Sequence, residues 1–201
     1  MRELHTTVTY LEMTSEHVHH VSPPSNVKLI LLRAENITTD FYRFLYCAVG
    51  KDFEWHDRRH LTNEELSAAI HATGVDVWVV YVNGQPAGFF ELARQSESLV
   101  ELKYLGLVAE FRRMGLGKWL LAEAIRAAWV LKPQRLIVET CTFEIPAALT
   151  LCQTLGFTPS ANKHQAISPQ DATLAAFTHP TTFYYCNCIT RAPLPIVTQH
   201  C

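Results

Sequence analysis

One stretch of the sequence decides the fold: ELKYLGLVAEFRRMGLGKWLLAEAI, residues 101–125, in which a strand-like run passes through a glycine-rich turn directly into an amphipathic helix. Gly115 and Gly117 remove side chains where a ligand must approach the backbone, and the first helical turn presents unpaired N–H groups at the positive end of its dipole. Basic side chains adjoin the turn: Arg112, Arg113 and Lys118. The segment predicts an anion site suited to a diphosphate, although a tight turn that needs two glycines for steric reasons alone would look the same.

The segments on either side of this stretch predict a mixed sheet. VDVWVVYV and QPAGFFELAR flank Asn83-Gly84, a dipeptide that favours a type I′ hairpin turn, and SLVELKYLGLVA (98–109) adds a third strand to form an antiparallel meander. RLIVETC (135–141) follows the helix of 115–131, and such a strand–helix–strand step makes its two strands parallel. We therefore expect an α+β fold with a mostly antiparallel sheet and one parallel strand pair.

Capping signals place two helices before this core. Thr38 or Thr39 begins one that runs to Val49, with Gly50 available for the left-handed position after its end. A capping box at Thr62 begins the second. Apolar residues at helical spacing form the expected inner face of the first helix: Phe41, Phe44, Leu45 and Ala48.

Turn residues set the expected domain limits. Residues 1–26 are interpreted as a short N-terminal strand and a Pro-rich loop, and residues 27–201 as a single domain whose motif-bearing part covers 75–160. C-terminal strands are expected within 157–190, near 157–160 and 181–190. They follow a short helix that begins at Pro146 and stops at Gly156.

Length and charge exclude several classes of protein. The 201 residues suffice for one sizeable domain with its own core. With 17 Lys and Arg against 19 Asp and Glu, the net charge of −2 provides no field for nucleic acid or an anionic membrane. Apolar runs are far shorter than the roughly 20 residues of a membrane span, and the start, MRELHTTVTY, lacks the pattern of a signal peptide. We expect a cytoplasmic protein without nucleic-acid or membrane partners.

Two candidate metal clusters lack the spacing of a zinc site. Cys186 and Cys188 are two apart in a β-rich run that puts both sulfurs on one face, and HVHH (17–20) is dense in imidazole. Structural zinc takes four ligands with closely paired spacing, which neither cluster provides. We expect no metal, and free thiols for the six cysteines.

The turn RRMGLG (Arg112–Gly117) resembles the signature Q/R-x-x-G-x-G/A of the GNAT superfamily of acetyl-CoA-dependent N-acetyltransferases. The ending LGF at 155–157 is similar to the family's second motif, and the order of elements over 27–160 matches. WHDRRHLTNEEL, GFFEL and TCTFEIPAAL look like one bacterial subgroup, for which no substrate is implied. The resemblance implies a GNAT-like fold, in which helices cover both faces of a twisted sheet and the parallel strands splay apart.

The resemblance also implies the chemistry: a primary amine attacks the thioester of bound acetyl-CoA directly, in a ternary complex. Pantetheine would pair with the backbone of 105–108, the diphosphate would lie on 112–117, and an N–H near Leu107 would polarise the carbonyl. The residues expected to bind the co-substrate are Leu105, Leu107, Val108, Arg112, Arg113, Met114, Gly115, Leu116, Gly117, Lys118 and Cys152.

Glu101 is the expected general base, since it lies six residues before Leu107, as in histone acetyltransferase members of the superfamily. Glu91 on the neighbouring strand is the alternative base, and an ion pair of Glu101 with Lys103 on the same face is the purely structural interpretation. The residues expected to contact the acceptor are Trp55, His56, Asp57, Arg58 and Thr140.

Two family positions differ in this chain. Cys152 replaces the usual tyrosine acid, and Ile145 replaces an asparagine at the start of that helix. Cys152 is expected to be a packed thiol, because a side chain ending at the γ atom does not reach the CoA sulfur. The leaving thiolate would then take its proton from water or from a hydroxyl such as Tyr104 or Tyr184.

Two functions stay open. One is an N-acetyltransferase acting on a small-molecule amine or a protein amino group. The other is a non-catalytic acyl-CoA-binding or regulatory domain, which the missing tyrosine favours. A Rossmann-type nucleotide binder fails, because a meander precedes the glycine turn instead of a βαβ unit. The sequence does not specify which amine is the acceptor, whether the protein forms a homodimer, or what role the tail from Ala161 has.

Overall fold

The computed structural model describes residues 4–16, 20–51, 55, 57–141 and 146–167. The strands of this part are β1 (Leu4–Met13), β2 (Leu29–Arg33), β3 (Val75–Val82), β4 (Gln85–Ser96), β5 (Leu99–Leu107), β6 (Arg135–Cys141) and β7 (Thr158–Ile167). The helices are α1 (Thr39–Gly50), α2 (Asn63–Ile70), α3 (Leu116–Val130) and α4 (Pro146–Thr154), with a 3-10 turn at Ala109–Phe111. None of the described helices is long and apolar enough to span a membrane.

The strands form one seven-stranded sheet in the order β2-β3-β4-β5-β6-β1-β7. Neighbours are antiparallel except β5 and β6, which are parallel. The turn between β3 and β4 places Asn83 at φ 51° and Gly84 at φ 84°, as a type I′ turn requires. The predicted α+β class, the meander and the parallel pair are therefore confirmed.

The N-terminal strand lies inside the sheet. β1 pairs antiparallel with β6 on one side, where Val8 faces Cys141 and Met13 faces Leu136, and with β7 on the other. Leu11 and Met13 are buried in the core beneath α3. The strand expected near 181–190 lies outside the described residues.

Helices cover both faces of the sheet. One core forms beneath α3 and α4, with Leu120 and Phe90 at its centre, and a second forms beneath α1 and α2 around Tyr42, Tyr46 and Phe89. Packing on both faces explains why β4 is continuously buried over residues 87–92.

Two expectations for α1 are wrong. Its buried face carries Tyr42, Leu45, Tyr46 and Val49, whereas Phe44 is 53% exposed. The tyrosines are buried because their hydroxyls have polar partners within the protein, which a pattern of purely apolar residues does not anticipate.

Gly50 is helical and does not adopt the left-handed conformation expected of it. It is the last residue of α1, and Lys51 continues at φ −56°. A Cβ on Gly50 would lie 2.7 Å from the Cβ of Trp55. Close approach of the tryptophan therefore explains this glycine. The caps are as predicted, because Thr38 accepts from the N–H of Phe41 and Thr62 forms a complete capping box.

Candidate functional site

A cleft opens where β5 and β6 separate. The two strands pair from Leu99–Arg135 to Leu102–Val138, and there the ladder ends, although β5 continues to Leu107 and β6 to Cys141. The space between the diverging ends is lined by β5, β6, α3, α4 and Trp55. The chain therefore has the splayed parallel pair that the sequence predicted.

Backbone groups of β5 face this cleft. The N–H of Val108 donates to the carbonyl of Ala87 in β4 at 2.9 Å. Because successive residues of a strand direct their backbone groups to opposite sides, Leu107 and Leu105 direct theirs toward β6, beyond the end of its ladder with β5. An extended ligand lying in the cleft can pair with these groups as an added strand.

A β-bulge orients the side chains at the inner end of the cleft. Leu92 faces Leu102 and Glu91 faces Tyr104, so Lys103 is an extra residue in β5. Leu102 consequently packs beneath α3 while Tyr104, two residues later, packs beneath α1. Regular alternation would have put both on one face.

Glu101 lies at this inner end of the cleft and is 7% exposed. Its Oε1 accepts from Lys103 Nζ at 2.9 Å, and its Oε2 accepts from Gln95 Nε2 at 2.6 Å. Burial by itself lowers the pKa of the Lys103 ammonium, but the charges of Glu101, Glu139 and Asp57 raise that pKa overall. Glu101 thus both lines the cleft and forms the ion pair with Lys103. Gln95, at the far end of β4, carries no motif that could have identified it.

Glu91 is fully buried and lies away from the cleft. Its Oε1 accepts from Arg58 Nη2 at 2.7 Å, and its Oε2 accepts from the Tyr42 hydroxyl at 2.5 Å. Burial raises the pKa of the Glu91 carboxyl, and the positive charge of Arg58 opposes that rise. The geometry gives Glu91 structural partners in Arg58 and Tyr42 and leaves it outside the set of residues that line the cleft.

Arg58 anchors the connection between α1 and α2, which we call the acceptor loop (residues 51–62). Its guanidinium bonds Glu91 and also lies over the rings of Tyr42 and Tyr104, 5.8 and 5.6 Å from their centroids. Its backbone N–H donates to the Tyr46 hydroxyl at 3.3 Å. The structure therefore places the Arg58 side chain largely in the protein interior, where it fixes the loop to the sheet.

Trp55 and Asp57, from the same loop, surround Tyr104. The Trp55 and Tyr104 ring centroids are 5.1 Å apart, and the Tyr104 hydroxyl donates to Asp57 Oδ2 at 3.4 Å. Burial raises the pKa of the Tyr104 hydroxyl well above its ordinary value, which makes it a poor acid near neutral pH. Partial burial also raises the pKa of the Asp57 carboxyl, against the opposing charge of Lys103. His56 and Tyr184 lie outside the described residues.

The glycine-rich turn begins α3. Arg113 (φ 61°) and Gly115 (φ 77°) are left-handed, and Gly115 is the N-cap residue, so the backbone itself favours a glycine there. Gly117 has no such conformation, and a Cβ there would meet Leu107 Cδ1 only at 4.0 Å. The folded chain therefore leaves room for a side chain at Gly117.

The side chains of the turn do not all face outward. Arg113, Met114 and Lys118 are exposed, and Leu116 is buried in the core. Arg112 instead folds back, with its Nε donating to the Leu107 carbonyl at 3.0 Å. The Arg112 side chain therefore lies apart from the exposed cations of the turn, although the sequence predicts that all of them surround one anion site.

Cys152 and Thr140 line opposite walls of the cleft, and both are buried. Cys152 packs with the core beneath α3 and α4, as a packed thiol would. Ile145 lies outside the described residues, as do Cys186, Cys188 and His17–His19 of the histidine-rich stretch. Among the described residues, no group of three or more His, Cys, Asp and Glu side chains could hold a metal ion.

Comparison with known proteins agrees with this geometry. Residues 73–159 match the family model of the acetyltransferase (GNAT) domain. A GCN5-related N-acetyltransferase from Sphaerobacter thermophilus superposes with a TM-score of 0.61 at 10% identity, over 80% of this chain and 51% of that one. A GNAT family acetyltransferase from Elizabethkingia anophelis with acetyl-CoA bound gives 0.51 at 20% identity, over 66% and 78%.

An aminoglycoside acetyltransferase from an uncultured soil metagenomic sample, in complex with sisomicin, gives a TM-score of 0.53 at 16% identity, over 80% of this chain and 97% of that one. The Sphaerobacter thermophilus protein and three other solved structures are longer chains, of whose length this chain spans only 51–65%. No protein of curated function matches the sequence. At these identities the likeness concerns the fold.

Proposed function

We propose, on the premise that residues 73–159 form a GNAT acetyltransferase domain, that the chain transfers the acetyl group of acetyl-CoA to a primary amine. The observation that carries the proposal is the cleft beyond Leu102, where the backbone of Leu105 and Leu107 faces away from β4 beside a glycine-rich helix start. An extended pantetheine arm would pair with these groups as an added strand.

The diphosphate would lie at the start of α3. Unpaired N–H groups of the first helical turn attract an anion, and Arg113 and Lys118 are exposed beside them. The space left by Gly117 supports this proposal, because none of the described residues comes close enough to a Cβ at Gly117 to require a glycine there. Close approach of a phosphate to the backbone would require it.

The transfer would proceed by direct attack. The amine nitrogen would form a bond to the acetyl carbon as the bond from that carbon to sulfur breaks, and the CoA thiolate would leave. As the amide forms, the nitrogen would release its second proton to water, which supplies the proton that the thiolate takes up. Glu101 would take the ammonium proton, directly or through water, because its carboxylate lines the inner end of the cleft. The N–H of Leu107, directed into the cleft, would polarise the carbonyl oxygen.

Water would return a proton to the thiolate. Tyr104 has a raised pKa and already donates to Asp57, and Cys152 is packed in the core. Neither is suited to act as the acid. Because a thiolate of ordinary pKa is only a moderately strong base, its protonation by water does not require a dedicated group.

The acceptor side of the cleft is acidic. Glu101, Lys103 and Glu139 line it, so the carboxylates outnumber the one ammonium. Asp57 also lies near enough for its charge to help raise the pKa of Lys103. We therefore propose a cationic small-molecule amine as acceptor, in line with the fold shared with an aminoglycoside acetyltransferase. Such a donor and acceptor fit a cytoplasmic site of action.

The proposal is tested by measuring CoA release from acetyl-CoA with a panel of mono-, di- and polyamines. Wild-type protein should release CoA in an amine-dependent manner, fastest with polycationic acceptors. Glu101→Gln should reduce the rate by about 10²-fold or more while still binding acetyl-CoA. Binding of acetyl-CoA without turnover of any amine would favour the second candidate, a non-catalytic acyl-CoA-binding domain.

One observation favours that second candidate: neither Cys152 nor Tyr104 is suited to act as the acid. The two functions differ in what Glu101→Gln does. In an enzyme the substitution lowers turnover by about 10²-fold or more, whereas a binding domain has no turnover to lower. The affinity for acetyl-CoA is unchanged in both.

A further inference from the structure

Arg112 belongs to the glycine-rich turn, yet its guanidinium points back into the protein. Its Nε donates to the Leu107 carbonyl at 3.0 Å, and its Nη2 donates to the Val49 carbonyl at 3.4 Å. Both acceptors are backbone groups, one in the last residue of β5 and one in the last turn of α1. The Arg112 side chain thus bridges the end of β5 and the end of α1.

Each of these contacts has a consequence for the cleft. The last carbonyls of a helix have no partner within it, and a cation there is favourable. The Leu107 carbonyl belongs to a residue whose backbone faces the cleft, and its bond to Arg112 leaves the Leu107 N–H as the group offered to a ligand. Arg112 therefore fixes the direction of that N–H.

Packing around Arg112 ties the same strand to the acceptor loop. A Cβ on Gly106 would lie 2.4 Å from Val49 Cγ1, so the last turn of α1 lies directly on β5. The next residue, Gly50, is in contact with Trp55 of the acceptor loop. The end of β5, the end of α1 and the acceptor loop therefore meet within one turn of α1.

We infer that Arg112 is a positioning residue for β5, the strand expected to pair with the acetyl donor, and not a ligand of the diphosphate. Arg112 holds the end of β5 against α1, so that the Leu107 N–H faces the thioester of the bound donor. The phosphates are bound instead by the start of α3 and by the exposed cations beside it. The inference rests on the proposed acetyl transfer and assigns Arg112 a role that its place in the motif does not suggest.

The test compares two acetyl donors, acetyl-CoA and S-acetylpantetheine, which lacks the nucleotide and its phosphates. Arg112→Ala should raise KM for both donors by the same factor, about tenfold, as expected for loss of a charge-assisted hydrogen bond. Arg113→Ala is the matched comparison: it removes an exposed neighbouring cation and should raise KM for acetyl-CoA alone.

A rise in KM confined to acetyl-CoA in Arg112→Ala would overturn the inference, because that is the behaviour of a phosphate ligand. An unchanged KM for both donors would overturn it equally. Partial unfolding would lower kcat and leave KM unchanged, so it cannot imitate the expected result. Arg112→Lys, which keeps the charge but cannot bridge both carbonyls in the same geometry, should also raise KM for both donors.

Calorimetric titration with CoA and with pantetheine makes the inference independent of turnover. If the wild-type protein binds both but transfers no acetyl group, the proposed activity fails while Arg112→Ala still has to weaken both ligands equally. If it binds neither, both proposals are wrong.

Discussion

The matched substitutions Glu91→Gln and Glu101→Gln decide which carboxylate is the base. Glu91 bonds Arg58, whose side chain is 12% exposed, and Glu91→Gln removes the charge that compensates this guanidinium. Breaking a buried ion pair costs about 3–5 kcal/mol, and the retained amide oxygen favours the lower limit. A domain of this size loses about 2–4 °C in Tm for each kcal/mol, so the expected fall is about 6–12 °C.

Glu101→Gln should do the reverse. Its partner Lys103 is 29% exposed and can be hydrated, so Tm should change little. Turnover should fall by about 10²-fold or more, because a carboxamide cannot accept the ammonium proton.

Both proteins are compared by thermal unfolding and by CoA release at a temperature well below either midpoint. Glu91→Gln should retain most of the wild-type rate per folded molecule. An unchanged Tm together with collapsed turnover in Glu91→Gln would refute this reasoning and make Glu91 the base.

Three further substitutions test the cofactor side and the acid. Gly117→Glu should weaken acetyl-CoA binding measured by calorimetry, because it introduces bulk and negative charge where a phosphate would lie, and wild-type affinity would contradict the phosphate site. Cys152→Ser should retain most activity, and intact mass without amine should show no acetylated protein, whereas a burst of acetyl-enzyme would contradict the packed thiol. Tyr104→Phe should leave the alkaline limb of the pH–rate profile in place, because a hydroxyl with so raised a pKa is not the group that titrates there.

The strands and caps could be predicted because their signals are local. Asn83-Gly84 specifies its own turn, and Thr62 with Glu65 specifies its own capping box. The bulge at Lys103 has no such signature, since ELKYLGL alternates as a regular strand would. Strict alternation therefore correctly predicts which residue lies beside Glu101. It wrongly puts Tyr104 on the same face of the sheet as Leu102.

The position of β1 within the sheet also could not be predicted from the sequence. Its pattern predicts a strand, but the same pattern fits several positions in a sheet where a strand has a neighbour along each edge. Only pairing with β6 and β7, which begin more than a hundred residues later, places it between them.

The sequence carries a motif for the proposed donor half of the site and none for the proposed acceptor half, for a physical reason. The donor is expected to meet backbone groups and glycines, whose requirements are expressed within one short window from Leu105 to Lys118. The loop expected to border the acceptor is held in place by side chains that meet across long separations: 33 residues for Arg58–Glu91 and 47 for Asp57–Tyr104. Such pairs can change the charge and shape of the acceptor side while the glycine turn stays the same, so a motif that identifies the donor need not constrain the amine.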